Sequence, residues 1–338
     1  MSLQRLVLAV ERAWDSRHGH RTPEHFRIET YLGHGGPDGV VVRGRVLDNR
    51  LAPEAEEGEG VRAATRRTLG HFVTDELPGV PLRVTVAGTS VEVESDQDGY
   101  FLVRVPTPVG SLTSPWTTGT VALRGAYRGV TDAEAALVQV RVPGPDARFG
   151  ILSDVDDTIL ETGVQRAMRM VVQTFTGSAL TRTAFPGAPE LYRDLAAGAN
   201  PVFYVSSSPW NLHSFLLAFL RHRDFPLGPV LLRDLLGNRQ GREQKHTRIR
   251  EVLDLHPDLS FVLLGDSGEH DPQVYADIVR EYPGRVLAVY IREVRLDPGD
   301  GRVEKVSDAW NSDVPFVLAA DSDAVRRHAQ RIGLLPAP

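Results

Sequence analysis

The sequence contains no cysteine. Disulfides, thiolate zinc sites and cysteine nucleophiles are therefore excluded, while the compartment is left open by this absence. No apolar run approaches the length of a membrane span. Charge of one sign is also lacking. The net charge is −6 over 338 residues, so no bulk electrostatic case exists for nucleic acid or an anionic membrane. There is no internal repeat. Near the start, Arg5, Glu11 and Arg12 interrupt the apolar stretch, which argues against a signal peptide. The expectation is a soluble, cytoplasmic chain, with a length that suggests two domains.

What is present centres on Phe149-Gly150-Ile151-Leu152-Ser153-Asp154-Val155-Asp156-Asp157-Thr158. The apolar residues read as a short buried strand that runs directly into acid. Side chains two apart in an extended chain share a face, so Asp154 and Asp156 are expected to project together. Two carboxylates held at a strand end repel each other and are costly to desolvate. A divalent oxygen-liganded cation, Mg²⁺ above all, relieves that cost. The bland alternative is an Asp-rich turn, since Asp caps helices and tolerates tight turns.

In chain order, Leu3 to Trp14 carries apolar residues at helical spacing and reads as a helix packed on the body of the protein. From Phe26 to about Val142 short β-branched or alternating segments follow one another. About seven strands predict a small β-sandwich, with Asp98-Gly99 as a hairpin-type turn. Between its early strands, residues 53–60 read as a solvated acidic loop. Arg62, Arg66 and Arg67 form a basic cluster, read as a solvated helix face. Pro143-Gly144-Pro145 breaks the chain and sets a boundary at about residue 145. The expected division is a helix over 1–20, a β-sandwich over 21–145 and an α/β domain over 146–338.

In that last domain, strands and helices alternate as in a parallel sheet. Strands are expected at Val202–Val205, Val230–Leu232, Phe261–Leu264 and Val286–Ile291, with a closing helix near Asp323–Ile332. Ser208 is expected to cap a helix whose first residue is Pro209. Ligands of such sheets sit beyond the strands' carboxyl ends, where Asp154, Asp156, Ser206 and Asp266 all fall. Lys245 is expected in the first turn of a helix. The macrodipole disfavours a cation there unless an anion is bound nearby. Together these residues fit phosphoryl transfer: a nucleophilic carboxylate, an acid/base carboxylate, a hydroxyl and an ammonium for the phosphoryl oxygens, and a third carboxylate for a metal.

The run Asp154-Val155-Asp156-Asp157-Thr158, then Ser206, Lys245 and Gly265-Asp266 with Asp271, resembles the four ordered motifs of the haloacid dehalogenase superfamily. The longer stretches Tyr204-Val205-Ser206-Ser207-Ser208-Pro209-Trp210 and Gly265-Asp266-Ser267-Gly268-Glu269-His270-Asp271-Pro272 resemble the actin-patch-associated phosphatidate phosphatase family and its bacterial relatives. The resemblance implies a Rossmann-like parallel-sheet domain preceded by a small β-rich one. It also implies Mg²⁺-dependent hydrolysis of phosphatidate to diacylglycerol. Asp154 is then nucleophile and metal ligand, and Asp156 is acid/base with its carbonyl on the metal. Ser206 and Lys245 bind phosphate, Thr158 orients the loop, and Asp266 ligates the metal.

Several residues keep two readings. Asp271 is a helix cap or a metal-site residue. Glu269 and His270 either surround the metal ligands or face solvent, and Trp210 is core or entrance. Asp157 reads as a cap. Only a small cover, around Val164 to Thr176, is expected over the site. An open site suits a large or surface-bound phosphate monoester, with contact peripheral to a membrane. Rival functions are a phosphatase for nucleic-acid ends or phosphoproteins, and a catalytically silent phosphate or metal receptor. The β-sandwich is expected to bind a partner that the sequence does not identify.

Overall fold

The computed structural model describes residues 21–49, 76–160, 184–233, 241–294, 306 and 310–337, with the side chains of 241 and 242 left aside. The expected N-terminal helix, the acidic loop 53–60, the arginines 62, 66 and 67, and the cover at 164–176 lie outside these residues.

Alternation dictates the first sheet. In β4 (Pro81–Val86) and β6 (Tyr100–Pro106), every second side chain is buried, so Leu82, Val84, Val86, Phe101, Val103 and Val105 point to one core. The other strands are β1 (Phe26–Thr30), β2 (Gly33–Gly36), β3 (Gly39–Asp48), β5 (Thr89–Glu94), β7 (Trp116–Leu123) and β8 (Ala136–Arg141). All eight belong to one hydrogen-bonded sheet, ordered β1-β3-β2-β8-β7-β4-β5, with β6 also paired to β3. β5 and β6 come close without pairing, so the sheet curls on itself around its core. One pairing, β2 with β8, is parallel.

Asp98-Gly99 does not close a paired hairpin. β5 pairs with β4 and β6 pairs with β3, so the turn hands the chain from one end of the sheet to the other. Asp96 Oδ1 fixes the turn by accepting from the amides of Asp98 and Tyr100. Gly99 has φ +71°, and a Cβ there would sit 2.6 Å from the Val46 carbonyl.

The second sheet is parallel throughout. Its strands are β9 (Gly150–Ser153), β10 (Val202–Pro209), β11 (Val230–Arg233), β12 (Phe261–Asp266), β13 (Val286–Arg292) and β14 (Phe316–Ala319), ordered β11-β10-β9-β12-β13-β14. The helices are α1 (Ala188–Ala196), α2 (His213–His222), α3 (Gly241–Leu255), α4 (Asp271–Glu281) and α5 (Ser322–Arg331). Near-continuous apolar strands give the sheet two buried faces. Ile151 belongs to the core on one side and Leu152 to the core on the other. β14 was not expected from the sequence. Progression reverses at β9, with β10 on one side and β12 on the other, which makes a crevice at the carboxyl ends of these strands. No described helix is long and apolar enough to cross a membrane.

Candidate active site

The register of β9 and β12 brings the acids together. Ser153 lies opposite Leu264, and the Asp154 amide donates to the Leu264 carbonyl at 2.8 Å. Asp154 and Asp266 therefore emerge side by side into the crevice. After Asp154 the chain turns at once. Ile159 and Leu160 donate to the Val155 carbonyl, and Asp157 adopts φ +55°, a conformation Asp tolerates better than most residues. Arg292 Nε holds the far side of this loop through the Thr158 carbonyl at 3.2 Å.

Lys245 is the hub. Its ammonium is buried, lies 2.6 Å from Asp154 Oδ1, and makes a closer contact with Asp271 Oδ1. Glu269 Oε2 stands 3.9 Å away. Burial pushes the lysine pKa down, but Asp154 and Asp271 outweigh it and hold it above the usual value. Asp154, Glu269 and Asp271 form a cluster of metal-ligating type, yet the ammonium already sits against it.

Asp156 is held from the other side. Its Oδ2 accepts from Ser206 Oγ at 2.7 Å and from Ser208 Oγ at 3.0 Å. Ser206 Oγ in turn accepts from the Ser208 amide. Burial and the nearby Glu269 raise the Asp156 pKa to about 6, against the two hydroxyl bonds. Burial and Asp271 raise Asp266 to about 8, with Lys245 opposing. Burial also raises Asp154 and Asp271, again opposed by Lys245.

Burial is the largest cause of each of these shifts, and the crowding of carboxylates adds to it. Five carboxylates, Asp154, Asp156, Asp266, Glu269 and Asp271, gather around a single ammonium. Two of their oxygens, Asp154 Oδ2 and Asp266 Oδ2, are buried without a hydrogen-bond partner. The other oxygen of Asp266 accepts from the amides of Gly268 and Glu269 at 2.5 and 2.9 Å, which aims the carboxylate. All-oxygen donors, excess negative charge and two orphaned buried oxygens fit a hard divalent cation.

Three expectations are corrected by this geometry. Lys245 is the fifth residue of α3, beyond the first turn, so its reach to Asp154 and Asp271 rather than a helix dipole accounts for its placement. β10 continues through Pro209, so Ser208 caps no helix and its hydroxyl serves Asp156. Asp271 is the first residue of α4, and His270 precedes it as the cap residue. The Asp271 carboxylate takes Lys245 and, at 3.3 Å, the Asp266 amide. Gly265 makes room for it, since a Cβ there would collide with Asp271 Oδ2 and stand 2.7 Å from the Tyr275 ring.

Trp210 is buried core. Glu269 is partly exposed and accepts from Ser207 Oγ at 3.1 Å. Thr158 is buried, with its hydroxyl unpartnered. Sequence reasoning missed Ser208 as a partner of Asp156. It also missed Arg292 and Tyr275, whose hydroxyl donates to the Leu264 carbonyl. A third hydroxyl in Ser206-Ser207-Ser208 was the available signal for the first. The other two contacts are tertiary and leave no local pattern.

Residues 149–293 match a family model described as phosphatidate phosphatase APP1, catalytic domain. Phosphatidate phosphatase APP1 of Saccharomyces cerevisiae is 33% identical over 151 residues, covering 43% of this chain and 26% of that protein. Uncharacterized protein C29B5.04c of Schizosaccharomyces pombe is 31% identical over 213 residues, covering 61% of this chain and 35% of that one. The chain thus spans about a quarter to a third of the length of these relatives. Among solved structures, a HAD family hydrolase from Deinococcus radiodurans R1 with bound phosphate and sodium aligns over 57% of this chain and all of its own. Its identity is 16% and its TM-score 0.37. A score of that size does not establish a shared fold. The match over 149–293 takes in all the segments that build the site, and over them this chain is similar to the phosphatidate phosphatase APP1 catalytic domain.

Proposed function

We propose that this chain is a metal-dependent hydrolase of phosphate monoesters, working through an aspartyl-phosphate at Asp154. The observation that carries the reading is the buried Asp154. One of its oxygens is tied to Lys245 and the other has no partner, and Asp156 stands nearby with a pKa of about 6. The Asp154 carboxylate attacks phosphorus while the ester P–O bond breaks. Protonated Asp156 gives its proton to the leaving oxygen. It then takes one from water, which attacks phosphorus and frees the Asp154 carboxylate and phosphate. A pKa near working pH suits both directions of that transfer.

Asp154 and Asp266 would hold the cation, Mg²⁺ by the resemblance, with the Asp156 carbonyl as the further ligand. Bound there, it supplies positive charge that lets an anionic nucleophile meet an anionic phosphoryl group. Lys245 and Ser206 bind the phosphoryl oxygens. Asp271 holds Lys245 in place and, clustered with Asp154 and Glu269, keeps its expected place at the metal site. Thr158 orients the loop. The chain divides at about residue 145, and residues 146–338 carry the chemistry.

For the substrate we propose phosphatidate, giving diacylglycerol at a membrane surface. The similarity to the yeast phosphatidate phosphatase APP1 supports this, as do the shared segments around the site. A Mg²⁺-supplemented screen of phosphatidate, lysophosphatidate, nucleotides, sugar phosphates and phosphopeptides tests the proposal. Phosphate release from phosphatidate, abolished in a folded Asp154→Asn variant, is expected. Turnover of sugar phosphates alone would overturn the lipid assignment. No hydrolysis of any monoester would leave the chain a silent receptor.

A further inference from the structure

Among its contacts with the α/β domain, the curled β sheet grips the segment just after the serines that hold Asp156. Trp210–Leu212 form a 3-10 turn between β10 and α2. The Tyr31 ring, from the loop after β1, stacks on Trp210 at 5.1 Å with planes 1° apart, and on His213 at 4.0 Å. Arg43 of β3 lies over the other aromatic partner of this stack, 4.8 Å from the Trp210 ring. Tyr100 of β6 donates its hydroxyl to Asn211 Oδ1 at 2.9 Å. Glu29 of β1 accepts from Ser214 Oγ at 3.0 Å. Tyr31 is buried, and it belongs to the core of the α/β domain rather than to that of its own sheet.

These grips fall on four residues of one short segment, Trp210, Asn211, His213 and Ser214. Between that segment and Ser208 stands only Pro209, whose ring fixes φ, here −75°. Position is therefore passed along a stiff link. Where the 210–214 segment is clamped decides where the Ser206 and Ser208 hydroxyls point, and with them Asp156.

We infer that the β sheet is a working part of the site, and that Tyr31, Arg43 and Tyr100 are positioning residues that set the Ser206–Ser208 loop for phosphoryl transfer. This rests on the proposed phosphatase reading and adds to it. The β sheet then acts on catalysis from within the chain, in contrast to the expectation that it recruits a partner.

The test uses the full chain with three substitutions. Tyr31→Ala removes the stack and Tyr31→Phe keeps it. Val84→Ala weakens the β core away from the clamp. With Mg²⁺ and p-nitrophenyl phosphate, at a temperature where all are folded, Tyr31→Ala is expected to lower kcat on the order of tenfold to a hundredfold. Tyr31→Phe is expected to restore the parent rate, and Val84→Ala to lower Tm without lowering kcat. Hydrogen exchange of the 206–208 amides is expected to quicken in Tyr31→Ala alone. Parent-like kcat and unchanged exchange in that variant would overturn the inference, as would an equal kcat loss in Val84→Ala. If Tyr31→Ala does not fold, Tyr100→Phe, which removes only the hydroxyl on Asn211, takes its place in the same comparison. If the parent chain hydrolyses no monoester, the proposed function fails and the exchange experiment decides this inference by itself.

Discussion

Replacing Glu251 with Gln should cost stability at neutral pH and cost much less in acid. Glu251 lies on α3 and faces the β sheet. Arg43 of β3 approaches it at 3.6 Å, Arg248 at 3.1 Å and His34 of β2 at 3.6 Å. Burial pushes the carboxyl pKa up, but His34, Arg43 and Arg248 push it further down, from 4.5 to about 2. A fall of that size corresponds to roughly 3 kcal/mol. The His34 contact is longer than a hydrogen bond, which lowers the expected contribution to roughly 2 kcal/mol. The folded pKa lies below the unfolded one. This stabilisation is therefore present above about pH 4.5 and is lost as pH falls towards about 2. Urea unfolding of parent and Glu251→Gln at pH 7 should differ by roughly 2 kcal/mol, and the gap should shrink by more than half by about pH 3. A gap that is constant over this range, or below about 0.5 kcal/mol at pH 7, would refute the reasoning.

Lys245→Met leaves Asp154 and Asp271 buried without their ammonium. Unfolding in EDTA should show a loss of about 3–5 kcal/mol, the usual cost of breaking a buried ion pair. Gly265→Ala drives a methyl group into the Asp271 carboxylate. It should cost about 1–3 kcal/mol in denaturant melts and also lower activity, because Asp271 holds Lys245. Mg²⁺ at a hundredfold its Kd should stabilise the parent by about 2.7 kcal/mol in thermal melts. Asp266→Asn should lose most of that gain, since Asp266 Oδ2 is one of the two unpartnered buried oxygens.

The acidic residues of the site were legible because each follows an apolar strand and the parallel sheet gathers strand ends. Asp154, Asp266 and Ser206 needed only local pattern plus topology. Lys245 was legible as a residue but not in its helix position. α3 begins at Gly241, in a polar stretch with no apolar periodicity to mark its start. Ser208-Pro209 carried a helix-start signature, yet the strand pairing of Pro209 with Arg233 and the bond to Asp156 prevailed. In the first sheet, alternation showed the strands and their buried faces. It could not show that β5 and β6, joined by a turn-like Asp98-Gly99, pair with different neighbours. β14 is four residues long, too short for periodicity to register. The stack of Tyr31 on Trp210 joins residues far apart in the chain, and nothing local in either segment announces it.

The central claim is that Asp154 takes the phosphoryl group. Rapid acid quench during turnover, followed by peptide mass analysis of the Asp156→Asn variant, tests it most directly. With p-nitrophenyl phosphate, whose leaving group needs no proton from Asp156, that variant still forms the phosphoryl-enzyme but lacks the group that activates water, so the adduct should accumulate. The account predicts one phosphoryl group on the peptide holding Asp154, absent without divalent cation and absent in Asp154→Asn. Phosphate release by the parent with no such adduct, or turnover that survives Asp154→Asn, would contradict it.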